Sequence, residues 1–135
     1  MSKNFALIVG EFHKSEADQM VAEAARVIET AGHKVSDVTW VPGSYEAPLA
    51  LKRHLIKDDI HAAVALSIIE RGETAHGLVM GQSVSDAIIQ LQLDTNKPIG
   101  MGILGPEIFP SQIPARAVPY AGAAAQAAIR MLDNA

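Results

Sequence analysis

The chain contains no cysteine, which removes disulfides and thiolate metal sites from consideration. Aromatic residues make up 4% of it, so the one tryptophan, two tyrosines and three phenylalanines each carry positional information. No apolar run approaches the roughly 20 residues needed to span a bilayer, and no signal-like segment follows Met1. No basic run exists and the net charge is −4, which gives nucleic acid nothing to bind. No two histidines stand at a spacing typical of zinc ligands, so a metal site is not expected. These absences leave a cytoplasmic protein without a membrane or nucleic-acid partner as the expectation. The 135 residues are 49% apolar and 19% charged, which suits one domain with a single core, spanning residues 1–135.

Short apolar runs alternate with helical patterns. Phe5 to Gly10, FALIVG, reads as a buried parallel strand. Ser15 with Asp18 resembles a capping box, and Ala17, Val21, Ala24, Ile28 and Ala31 share a helical face that Gly32 ends. Lys34 to Val41 alternates and is β-branched, a second strand halted by Pro42-Gly43. A helix from about Tyr45 to Ile56 follows, with Pro48 in its first turn. His61 to Ile69, HAAVALSII, is the third strand. Gly77 to about Asp94 is the third helix, with Met80, Val84, Ala87, Ile88 and Leu91 on one face. Pro98 to Leu104 is strand four, and a proline-rich loop from Gly105 to Pro119 leads into an alanine-rich helix. Strands alternating with helices predict an α/β fold: a four-stranded parallel sheet in a three-layer α/β/α arrangement.

Ligands of such sheets bind at the carboxyl ends of the strands. Four clusters fall there. Phe12-His13 follows strand one; a ring on that loop can stack on a flat heterocycle, although a loop anchor is the plainer reading. Pro42 to Glu46 is a tight turn in which Ser44 suits an N-cap and Glu46 the positive end of a helix; it equally aims N–H groups and a carboxylate outward. ERGETAHG, Glu70 to Gly77, concentrates two acids, a cation, a hydroxyl and a histidine where a buried strand meets a helix. Gly72 permits close backbone approach, Thr74 beside a helix start suits a phosphate, and His76 exchanges protons near neutral pH. A capped first turn explains the same residues, and spacing does not decide between the two. Arg116, placed in the loop after strand four, has the fork that matches phosphate.

Together VGEFHK, VPGSYEAPLALK, RGETAHG, TNKPIGMGILGP and the spacing to Arg116 resemble the lumazine synthase family over nearly the whole chain, in its short archaeal form. The resemblance implies a flavodoxin-like fold. It also implies condensation of 5-amino-6-ribitylamino-uracil with 3,4-dihydroxy-2-butanone 4-phosphate to 6,7-dimethyl-8-ribityllumazine, a step of riboflavin biosynthesis that uses no cofactor. It assigns Phe12 to stacking on the pyrimidine, Ser44, Tyr45 and Glu46 to the ribityl chain and ring, and Ile69 to the pyrimidine edge. Gly72, Glu73, Thr74 and Arg116 are assigned to phosphate and His76 to proton transfer. The partners it implies are small-molecule substrates and other copies of the chain: a homopentamer, or a sixty-subunit shell of such rings. Archaeal-type riboflavin synthase and a non-catalytic lumazine- or flavin-binding paralogue are the alternatives.

Three positions depart from the family's habit. Gly77-Leu78 follows the histidine where an acid is usual, Tyr120 to Ala124 lacks a helix-start lysine, and Glu70 stands in place of an apolar residue. One cation fewer is expected to weaken phosphate binding.

Overall fold

A computed structural model describes residues 1–134. Its elements are β1 (Asn4–Gly10), α1 (Lys14–Thr30), β2 (Lys34–Val41), α2 (Ala47–Leu55), β3 (Ala62–Glu70), α3 (His76–Thr95), β4 (Ile99–Ile108) and α4 (Ile113–Asp133). Single 3-10 turns at Ser44–Glu46 and Pro110–Gln112 precede α2 and α4. The four strands form one parallel sheet in the order β2-β1-β3-β4. Both faces are covered, as the continuous apolar runs require: every residue of β3 from Ala62 to Ile69 is buried. The α1/α4 layer packs on Phe5, Leu7, Val9, Val64 and Leu66. The α2/α3 layer packs on Ala6, Ile8, Ala63, Ala65 and Ile69. The result is a three-layer, flavodoxin-like α/β fold.

Several local expectations are corrected. Ser15 and Asp18 form no capping box, because α1 begins at Lys14 behind a left-handed His13 and the Asp18 carboxylate binds Lys14 Nζ at 2.6 Å. The buried face of α1 carries Met20 and Val27, whereas Val21 is half-buried and Ala31 exposed. β4 runs on to Ile108, four residues past the expected end. The loop from Gly105 to Pro119 is therefore short, and α4 starts at Ile113 with Pro114 in its first turn, where a missing N–H leaves no bond unmade. Pro119 lies inside α4 on the exposed face, where the carbonyl it leaves unbonded stays open to solvent. Arg116 thus belongs to a helix rather than a loop.

The alanines of α4 have an intrachain cause. Ala117, Ala121, Ala124, Ala125 and Ala128 are buried in the core with α1 and the sheet, while Ala123 and Ala127 are exposed. The helix backbone comes so close to β4 that a Cβ on Gly100 would collide with the Ala124 carbonyl. Only small residues permit that approach.

Candidate active site at the carboxyl edge of the sheet

The turns after β1 and β2 meet at Gly43. The Phe12 ring, on the turn after β1, stands 3.3 Å from the point a Gly43 Cβ would occupy, and the Glu46 carboxylate 3.6 Å from the same point. Phe12 is 67% exposed, so its ring face is available to a ligand rather than spent as a core anchor. Tyr45 extends the cluster, its ring 6.0 Å from that of His76 at a 68° tilt. The turn after β2 and the start of α3 are thereby joined.

Ser44 does not cap α2 with its side chain. It is 3% exposed, and its Oγ lies 2.6 Å from the Oγ of Ser67 on β3. That hydroxyl pair pins the turn to the sheet, and Gly10 leaves room for it: a Cβ there would sit 2.6 Å from Ser67 Oγ. Within the turn, Glu46 N–H donates to the Gly43 carbonyl. The N–H groups of Ser44 and Tyr45 open this short turn, at the positions where a helix start leaves donors without an intrahelical partner. Ser67 was not among the sequence candidates. Its one signal is being the only hydroxyl in the run HAAVALSII.

The ERGETAHG stretch is exposed from Glu70 to His76. Ala75, not Thr74, is the residue before α3, and it offers no side-chain cap. Thr74 Oγ1 instead accepts the His76 N–H at 3.3 Å. The first turn of a 20-residue helix is left with free N–H groups beside Gly72, Glu73 and Thr74, an arrangement that suits an anion. The Ile69 side chain is buried, so only its backbone reaches the edge. Gly77 also has a packing reason: a Cβ there would stand 3.2 Å from the Glu70 carbonyl, and one on Gly81 would stand 2.7 Å from Pro106 Cδ. A side chain at position 77 would press on the Glu70 carbonyl and on Ile69, which would have to give way slightly.

Two further residues of these clusters, with no role assigned to them from sequence, join the edge. Arg71 donates its backbone N–H to Ile108 at 2.7 Å, pairs Nε with Glu107 Oε2 at 3.3 Å and lies over the Phe109 ring at 5.4 Å. His13 Nε2 lies 3.1 Å from Glu70 Oε1. Both contacts join residues far apart in sequence, and no local pattern announces them.

Arg116 is not brought to this group. It starts α4, in the layer opposite α3, and among the described residues it makes no ion pair or side-chain hydrogen bond. Along β2, a groove of about 460 Å³ runs past Trp40, Pro42, Tyr45, Glu46 and Arg53. No three His, Asp or Glu side chains converge as metal ligands do among the described residues, and no described helix is long and apolar enough to cross a membrane.

Residues 2–135 match the family model of 6,7-dimethyl-8-ribityllumazine synthase. The protein of that name from Methanococcus maripaludis is 35% identical over 131 residues, covering 97% of this chain and 95% of its own length. Those from Methanopyrus kandleri and Metallosphaera sedula are 36% and 33% identical, covering 93% and 96% of this chain and 89% and 86% of their own lengths. With the parallel sheet and its polar carboxyl edge, these matches make the chain a member of the 6,7-dimethyl-8-ribityllumazine synthase family.

Proposed function

We propose that the chain condenses 5-amino-6-ribitylamino-uracil with 3,4-dihydroxy-2-butanone 4-phosphate, forming 6,7-dimethyl-8-ribityllumazine and releasing phosphate and water. The observation that carries this reading is the meeting of Phe12, Glu46, Tyr45 and His76 at one edge of the sheet in a member of that family.

The exposed Phe12 ring supplies a stacking face for the pyrimidine. The Ser44 and Tyr45 N–H groups and the Glu46 carboxylate bind the ribityl hydroxyls and ring N–H groups. The Ser44 hydroxyl is already engaged by Ser67, so Ser44 acts through its backbone. The backbone of Ile69 meets the pyrimidine edge. Gly72, Glu73 and Thr74, at the open start of α3, form the cradle for the leaving phosphate, and His76 moves protons as amine and ketone condense. The chain needs no cofactor for this, because two oriented substrates already react: proximity supplies roughly 7–11 kcal/mol of barrier lowering.

Arg116 completes the phosphate site from a neighbouring copy. Among the described residues it has no ion-pair partner, and it lies in the wrong layer for its own Thr74, which suits a site shared between protomers. A surface for that neighbour is present. Val79, Gln82, Asp86, Ile89 and Leu93 are exposed along α3 at alternating spacings of three and four, the stripe by which helices pack together. The assembly we propose is a homopentamer in the cytoplasm, with the sixty-subunit shell as its larger form.

The test is incubation with both substrates while lumazine fluorescence and free phosphate are followed. The wild type should produce both together. His76→Ala should lower turnover on the order of 10²-fold with residual activity, the contribution of one positioned proton-transfer group. Turnover unchanged in that variant at saturation would remove His76 from the chemistry, and no lumazine from the wild type would remove the function.

A further inference from the structure

Phe12 is suspended between two anchors. On one side, Glu11 N–H donates to the Val41 carbonyl at the end of β2, at 3.0 Å. On the other, His13 is held by Glu70 at the end of β3, at 3.1 Å. No backbone pairing does that second job, because the β1–β3 ladder stops at Val9 and Leu66. The ring itself is largely exposed, so little packing fixes its direction.

Both partners of the second anchor are rigidly based. His13 adopts the left-handed conformation, φ 55° and ψ 56°, and its carbonyl accepts the Ala17 N–H at 2.9 Å, which commits its backbone to the start of α1. Glu70 pairs with Ile108 on β4, and its carbonyl lies against Gly77 of α3. A carboxylate only accepts, so the proton shared with His13 resides on Nε2.

We propose that Glu70 and His13 form a clasp that positions Phe12 against the pyrimidine substrate, making this pair a determinant of affinity for that substrate alone. The inference rests on the function proposed above. The Glu70 carboxylate is directed at the neighbouring turn, not at the phosphate cradle. An exposed pair of this sort contributes little to stability, so its effect belongs in binding rather than in melting.

Glu70→Ala should raise KM for 5-amino-6-ribitylamino-uracil roughly three- to tenfold, the range expected from weakening one stacking contact. KM for the butanone phosphate, and Tm, should stay within error. Glu70→Gln keeps an oxygen to accept the His13 N–H and should recover most of the loss. In a Phe12→Ala background Glu70→Ala should add nothing. An equal further rise in that background would overturn the clasp, as would Ala and Gln variants that both shift only KM for the phosphate substrate, which would mark Glu70 as a simple charge. If the wild type makes no lumazine, the functional reading fails by itself. The imidazole nitrogen signals of His13 then test the contact: a change on Glu70→Ala supports it, and unchanged signals overturn it.

Discussion

The two helical layers solve the same covering problem in different ways. The α1/α4 layer is closed within the chain: alanines and glycines let α4 press on β4 and on α1, where a Gly122 Cβ would stand 2.9 Å from a Glu23 carboxylate oxygen. The α2/α3 layer is left open. Of α3's 20 residues only Gly81, Val84 and Ile88 are buried, while Val79, Ile89 and Leu93 are exposed, the last at 71%. The open layer carries Tyr45, Glu46 and His76 at its edge. Close packing thus lies on one face of the sheet and an exposed apolar stripe on the other.

The sharpest way to break that division is Gly100→Val. The new side chain would meet backbone of α4 at Ala124, which cannot swing aside as a flexible side chain can. Overpacking of this kind costs about 1–3 kcal/mol and more where backbone must move. A Tm drop on the order of 10 °C, or failure to accumulate folded protein, is expected. A melting curve like the wild type's would mean that the closed layer is not close-packed.

Leu93→Glu probes the open layer and should act differently. An exposed helix position tolerates substitution within about 0.5 kcal/mol in a lone chain. The charge would nevertheless sit in the α3 stripe, so the mass from light scattering should fall toward the monomer while the helical circular dichroism of the dissociated chain persists. An unchanged mass would place the contact between copies elsewhere than on α3.

The two layers also differ in how far they were legible. Strand identities and the strand–helix alternation follow from apolar runs and glycine stops, and β2 falls on Lys34–Val41 as its alternation indicates. The start of α4 was misplaced because four prolines between Pro106 and Pro119 read as loop, although Pro114 suits a first turn and Pro119 an exposed face. That displaced Arg116 from its helix. The candidate site's residue types were visible because polar side chains interrupt the apolar pattern at the strand ends. Their partners were not. The pairs Ser44–Ser67 and His13–Glu70 join residues 23 and 57 apart, and no periodicity encodes a contact of that kind.

The smallest expected effect separates packing from charge inside the closed layer. Glu23 receives two hydrogen bonds from Arg26, at 2.7 and 2.8 Å, beside Gly122 of α4. Those hydrogen bonds hold its carboxyl below the ordinary value of 4.5, with partial burial opposing and the Arg26 charge assisting. A carboxyl depressed on folding adds stability above its unfolded pKa, and loses it as pH falls through the folded one. The pair is solvent-exposed on the Arg26 side, so the gain is small. Glu23→Gln should therefore melt slightly below the wild type at pH 7, and the gap should close as both are taken below the carboxylate range. A gap that persists in acid would show that the difference does not come from the ionised carboxylate, and that its pairing with Arg26 adds nothing to stability.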